Sequence, residues 1–138
     1  MSDNLYNNYD DQNDWNGPVI EDEVYTKVIR DWGYYQILYG CSTFVVKKLY
    51  IESGKSTSYQ LHKGRSECHK IISGHGTYKT APRKPMNIGD LEYVKPYKAG
   101  DVLIFDIGEP HQLSAIESTT ICEIWTGPLL DENDIERL

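Results

Sequence analysis

Apolar and polar residues alternate in short runs over most of this chain, and glycines punctuate the runs. From about Val24 the β-type stretches are Tyr34–Leu38, Thr43–Ile51, Ser56–His62, His69–Ser73, Thr77–Thr80, Leu91–Val94, Asp101–Asp106, Gln112–Ala115 and Thr119–Trp125. Val, Ile, Tyr and Thr dominate them, as expected for half-buried strands. Gly33, Gly40, Gly54, Gly74, Gly76, Gly89, Gly100 and Gly108 sit between or beside them. Many short strands with regular turn signals predict an antiparallel sandwich or barrel. Ala81–Asp90, with Pro82, Pro85 and Gly89, reads as an extended hairpin tip. The one helical expectation is a short turn at Glu132–Leu138, which Asp131 could cap. No internal repeat is visible.

Strand parity gathers chemistry on one face. Gln60 and His62 are two residues apart and point the same way. Glu67, His69 and Ile71 share a face, with Cys68, Lys70 and Ile72 on the other. Gly64 permits a tight reversal between His62 and Glu67. His111 follows the turn Gly108-Glu109-Pro110. A barrel interior would gather Gln60, His62, Glu67 and His111. Amide oxygen, carboxylate and imidazole together suit Zn²⁺, Mn²⁺ or Fe²⁺ and select poorly for copper or calcium. The competing reading is a barrel that lost its metal and hydrogen-bonds these groups to one another. Four buried, unpaired polar groups would be costly, which favours the metal.

Three further residues stand near this set. The planar fork of Arg65 suits a phosphate or a developing enediolate, or else it faces water from a loop. Parity points His69 inward beside Glu67, as a proton carrier or as a packed strand histidine. Lys47 and Lys48 interrupt an apolar run and must face opposite ways. Lys47 shares the parity of Leu49 and Ile51, so an inward Lys47 would serve as phosphate ligand or base. The alternative is an edge strand whose lysine discourages aggregation. Trp32 and Trp125 are expected to pack the barrel or an interface, and His75 to sit in a surface turn.

Length and charge narrow the classes. A chain of 138 residues with 39% hydrophobic content supports one modest core. The net charge of −7 lies entirely in residues 1–26, which hold seven carboxylates and no Lys or Arg. Residues 1–23 are therefore expected to form an acidic, disordered arm, and 24–138 one domain. The remainder offers no basic face for nucleic acid. No apolar run could span a bilayer, and no signal peptide is visible at the N-terminus. Cys41, Cys68 and Cys122 lack CxxC spacing and fit reduced thiols in a cytoplasmic protein.

Gly54, Gln60, His62, Glu67 and Gly74 resemble the first motif of the cupins, with Gln60 in place of its first histidine. Gly100, Gly108 and His111 resemble the second, with Asp106 in place of its usual proline. Trp32-Gly33-Tyr34-Tyr35, the run from Gly54 to His62, Arg65-Ser66-Glu67 and Ile71-Ile72-Ser73-Gly74 are similar to the C-terminal cupin of type II mannose-6-phosphate isomerases. That cupin is fused in many bacteria to a mannose-1-phosphate guanylyltransferase. The tail from Gly127 through Asp131-Glu132-Asn133-Asp134-Ile135 resembles the end of the same domain. The resemblance spans about residues 27–137. It implies an all-β cupin double-stranded β-helix, a jelly-roll barrel that holds one divalent metal, Zn or else Mn or Fe, through Gln60, His62, Glu67 and His111. It further implies a phosphosugar substrate, an active-site role for Arg65 and a homodimer. Cys68 and His69 stand where the family has a histidine implicated in catalysis and then a tryptophan. Three functions stay open: an isomerase interconverting mannose 6-phosphate and fructose 6-phosphate, an Fe(II)-dependent dioxygenase, and a non-catalytic cupin that binds a sugar phosphate or a partner protein.

Overall fold

The computed structural model describes residues 24–82 and 92–138, so the acidic arm and most of the expected hairpin tip at 81–90 lie outside the described residues. Nine strands follow in chain order: β1 Val28–Arg30, β2 Gly33–Gly40, β3 Phe44–Ile51, β4 Gln60–Leu61, β5 Ser66–Thr80, β6 Tyr93–Lys98, β7 Val102–Phe105, β8 His111–Thr126 and β9 Glu136–Arg137. Every ladder between them is antiparallel. One path runs β1-β2-β3-β8-β4-β9, and β5 branches from β8 to carry β6 and β7. The result is one curled antiparallel sheet that folds over its own inner face, the jelly roll expected from the sequence.

Alternation along the strands decides which side chains go inside. In β3 every second residue is buried: Val45, Lys47, Leu49 and Ile51. In β8 His111, Leu113, Ala115, Thr119, Ile121, Glu123 and Trp125 are buried. The register then lays these residues in rows across the barrel. Val45 pairs with Trp125, Trp125 with Glu67, and Glu67 with Phe105. One row further on, Lys47 pairs with Glu123, Glu123 with His69, and His69 with Leu103. Leu49, Ile121 and Ile71 form the next row.

Two apolar clusters flank these polar rows. The larger contains Leu49, Ile51, Ile71, Tyr97, Leu103, Phe105, Leu113, Ala115 and Ile121. The smaller contains Ile37, Val45, Trp125 and Leu130, and Tyr35 packs against both.

Three expectations from sequence change. His69–Ser73 and Thr77–Thr80 are parts of one strand, as are Gln112–Ala115 and Thr119–Trp125. The glycines between the first pair bend the strand rather than end it: the β5–β8 register shifts between Ile71 and Gly76. Gly74 sits there at φ +91°, and a Cβ on it would meet Ser118 O at 2.3 Å, so only glycine fits the bulge. Second, the stretch Ser56–His62 enters the named ladders only at β4. Upstream it is tied to β8 by an isolated bridge from Ser56 to Ser114 and by Thr57 N donating to Leu113 O.

Third, the helical turn at Glu132–Leu138 does not form. Asp131 Oδ1 accepts from Asn133 N at 2.8 Å, which closes a turn rather than capping a helix. The chain then pairs β9 with β4, and Leu138 N donates to Tyr59 O. Seven residues cannot repay helix nucleation against a ready strand partner. Among the described residues there is no helix.

Candidate functional site

The bend between β4 and β5 delivers His62, and the start of β8 delivers His111. Both are 2% exposed, as buried as the apolar core around them. Glu67, the second residue of β5, projects between them. His62 Nε2 lies 3.0 Å from Glu67 Oε2, and His111 Nε2 lies 3.2 Å from Glu67 Oε1. The backbone of Gln60 pairs with that of His111, and Gln60 lines the adjoining cavity with Glu67. Of the four ligands expected from sequence, His62, Glu67 and His111 come together, and Gln60 is placed by its backbone beside His111.

The far side of each imidazole reveals what the near side can do. His62 Nδ1 is 2.6 Å from Asp134 O, and His111 Nδ1 is 3.0 Å from Glu109 O. A carbonyl oxygen only accepts, so each Nδ1 carries the proton. In a neutral ring Nε2 then presents a lone pair toward the Glu67 carboxylate. Lone pairs facing a carboxylate repel unless a second proton or a cation lies between them. Backbone carbonyls fixing Nδ1–H are the usual outer partners of metal-ligating histidines. Donor set and tautomers fit a divalent cation. His62, Glu67 and His111 have ligand atoms mutually within 4.8 Å.

Around this set lies a second layer of buried charge. Arg65 donates from Nε to Glu67 Oε2 at 2.9 Å and from Nη1 to Asp131 O at 2.8 Å. Its guanidinium stacks 3.5 Å from the Trp125 ring centre. Arg65 therefore does not face water from a loop; at 4% exposure it belongs to the barrel wall. His69 Nε2 lies between two carboxylates, 3.0 Å from Glu67 Oε1 and 3.1 Å from Glu123 Oε2. Lys47 points inward, as parity expects. Its Nζ pairs with Glu132 at 3.1 Å and sits 3.8 Å from the Tyr35 ring centre and 4.5 Å from that of Trp125.

These contacts set the ionisation states. Burial works against the charge on Glu67, but hydrogen bonds with His111, His62 and His69, which the His111 and His62 rings make when Nε2 also carries a proton, outweigh it and hold its carboxyl well below the usual carboxylate range. Burial likewise opposes a charged His69, yet the Glu123 and Glu67 carboxylates beside it raise its pKa. Burial pushes Glu132 up, and the Lys47 ammonium, a hydrogen bond with Tyr35 and Arg65 more than compensate, so its pKa is lowered.

A cavity of about 590 Å³ opens from Glu67 past Arg65, Lys47 and Glu123 toward Trp32, Ser56, Ser58 and Arg137. That is the size of a small-molecule site. Glu123 was absent from the residues singled out in the sequence, although it is 4% exposed and its Oε1 accepts a hydrogen bond from Trp125 Nε1. The signal was present: Ile121, Glu123 and Trp125 share one parity between two apolar neighbours. Cys68 lies on the opposite face of β5 from Glu67 and His69, half-buried. Its thiol has no line to the cavity. Cys41, Cys68 and Cys122 form no disulfide. His75 is at the surface, as expected.

Fold and inward donors together define a cupin. Among solved structures, the oxalate decarboxylase of Bacillus subtilis at pH 4.6 superposes with a TM-score of 0.69 at 17% identity, covering 82% of this chain and 30% of that one. The formate complex of Lactobacillus farciminis oxalate decarboxylase gives 0.66 at 18% identity, covering 82% and 33%. The capsular polysaccharide assembling protein CapF from Staphylococcus aureus gives 0.65 at 15%, covering 82% and 32%. At such identities the likeness concerns the fold, and the chain spans about a third of the length of each of these proteins. No curated protein matches. The chain belongs to the family of mannose-6-phosphate isomerase C-terminal domains, which it matches over residues 19–138. Among the described residues, no helix is long and apolar enough to cross a membrane.

Proposed function

We propose that this chain is a metal-dependent aldose–ketose isomerase of phosphosugars, with mannose 6-phosphate and fructose 6-phosphate as the first pair to try. The observation that carries this reading is the convergence of His62, Glu67 and His111, each ring turned by a carbonyl on its far side, with Glu67 also lining a cavity that it shares with Arg65 and Lys47. Gln60, His62, Glu67 and His111 would hold a divalent cation, Zn²⁺ or else Mn²⁺ or Fe²⁺. When bound, it supplies Lewis-acid stabilisation of charge on the sugar oxygens, on the order of several kcal/mol.

The protein's own groups do the rest. Arg65 fixes the orientation of Glu67, and Lys47 and Arg65 would receive a phosphate by exchanging their carboxylate partners, Glu132 and Glu67, for it. Among the carboxylates that line the cavity, Glu123, backed by His69, would carry the proton. The proton on C2 of the aldose passes to Glu123 while the C–H electron pair forms the C1–C2 double bond of a cis-enediol and the C1 oxygen takes a proton from water, leaving hydroxide. The proton then returns from Glu123 to C1, the C2 hydroxyl gives its own to that hydroxide, and the ketose results. His69 adjusts the charge on Glu123 from behind. Cys68, facing outward, takes no part, so the loss of a histidine at that position leaves the cavity chemistry intact. We place this activity in a cytoplasmic homodimer, in line with the family resemblance.

The test is direct. Protein loaded with Zn²⁺, Mn²⁺ or Fe²⁺ is given millimolar mannose 6-phosphate, and fructose 6-phosphate is followed by NMR. Ion-dependent conversion is expected. Absence of conversion with all three ions overturns the proposal, and calorimetry that then detects binding alone would assign the chain to sugar-phosphate binding.

A further inference from the structure

The segment after β8 does more than close the barrel. Gly127 and Leu129 lie against the bend at Lys63-Gly64, and Leu129 N donates to Gly64 O at 2.9 Å. The fit is close on both sides. A Cβ on Gly64 would meet Leu129 Cβ at 2.4 Å and Asp134 Oδ2 at 3.3 Å, and one on Gly127 would meet Gly64 O at 2.5 Å. Five residues beyond Leu129, Asp134 makes three contacts with the same bend. Its Oδ1 accepts from Lys63 N at 2.9 Å, its Oδ2 accepts from Gly64 N at 2.8 Å, and its own carbonyl accepts from His62 Nδ1 at 2.6 Å.

These contacts close a ring. The carboxylate grips the two amides immediately after His62, and the backbone of the same residue takes the His62 proton. Sliding the segment by one residue would break all three bonds. We infer that Asp134 is a positioning residue for His62: by clamping the Lys63-Gly64 bend it places its own carbonyl on Nδ1 and turns Nε2 toward Glu67 as a lone-pair donor. Among the described residues Asp134 is the partner at His62 Nδ1, while Glu67 Oε2 at 3.0 Å and Arg65 Nη2 at 3.4 Å stand at Nε2, so the Nδ1 side of this ring is set by Asp134. His111 is held separately, by Glu109 O, and serves as an internal reference.

This inference rests on the proposed metal site for its purpose but not for its test. In the metal-free full-length protein, the ring nitrogens of His62 and His111 are observed by long-range ¹H–¹⁵N NMR, with assignments from His62→Gln and His111→Gln. In the parent protein both rings are expected to carry a proton on Nδ1. Asp134→Ala should shift His62 to a mixture of tautomers and leave His111 unchanged. In Zn²⁺ titrations against a chromophoric chelator, Asp134→Ala should weaken binding by about 10–100-fold, the usual effect of losing an outer partner of a ligand. Asp134→Asn keeps the size and one acceptor oxygen, and is expected to fall between the two. It also supplies the measurement if Asp134→Ala does not fold. Lys63→Ala, which removes only the surface pair with Glu136, should bind Zn²⁺ like the parent. An unchanged His62 tautomer in both Asp134 variants overturns the inference. A parent protein that binds no ion, with a tautomer that still changes, sinks the metal reading and leaves the positioning role standing.

Discussion

Arg65 shows how much one side chain can carry inside a small barrel. Its fork is divided between Glu67 and the carbonyl of Asp131, and its face is stacked on Trp125. A lysine offers a point charge without the plane or the second donor direction. Arg65→Lys is therefore expected to cost about 1–3 kcal/mol, the penalty for leaving buried acceptors unsatisfied, read as a lowered urea midpoint at unchanged slope. Glu123 permits a sharper division between roles. Glu123→Gln keeps the Trp125 contact and the volume and leaves His62, Glu67 and His111 in place, so Zn²⁺ held by that set should bind as before while turnover drops by at least about 100-fold, the usual weight of a proton carrier; weakened binding would instead assign the ion to the second group of potential ligands, Glu67, His69 and Glu123. Equal turnover would remove Glu123 from the chemistry. Parity alone made Lys47, His69 and Glu67 legible as inward residues, because a strand has only two faces. It could not say that Arg65, which precedes β5, would be buried. That follows from Trp125 and Asp131, more than 50 positions away.

Among the elements, β5 and β8 dominate: they pair along almost their whole length and supply Glu67, His69, His111 and Glu123. Glycines inside a strand read in sequence as a break between two strands, whereas here Gly74 is the bulge that lets one strand curve through the barrel wall. The segment 127–138 was the least legible part. Its charged, turn-rich composition suits a helical turn as well as it suits the observed course, and only tertiary partners on the 62–65 bend decide between them. The same contacts make a prediction. Gly64→Ala drives a methyl group into Leu129 and should cost about 1–3 kcal/mol by overpacking, visible as a lower melting temperature. It should also weaken Zn²⁺ binding, since His62 and Asp134 meet across that bend. A full-strength ion site in a destabilised Gly64→Ala protein would separate the two effects.

For the whole molecule, the buried charges make stability depend on pH in both directions. Glu67 and Glu132 titrate below their ordinary range in the folded state, so their stabilisation is complete above the unfolded-state carboxylate values and is lost as pH falls through the folded ones. His69 titrates above its ordinary range, so its contribution is complete below the unfolded-state imidazole value and is lost as pH rises through the folded one. Melting temperatures of the metal-free protein should peak between the carboxylate and imidazole ranges and fall on either side; a flat profile from pH 4 to pH 9 would contradict this.

The jelly roll itself was readable in advance because alternation, turn spacing and the two histidine-bearing motifs all pointed to one architecture. The branching of β5 from β8 was not, since pairing partners far apart in sequence leave no local trace.

Trp125 has one more consequence. Its indole is shielded from solvent, faces the guanidinium of Arg65 and donates its N–H to Glu123, so it is wired to two walls of the cavity at once. Fluorescence from such a ring should lie toward the blue and change in intensity when an occupant disturbs either neighbour. The chain thereby carries its own optical gauge of cavity filling, and Trp125→Phe supplies the blank by which the emission of Trp15 and of Trp32, at the cavity rim, can be subtracted.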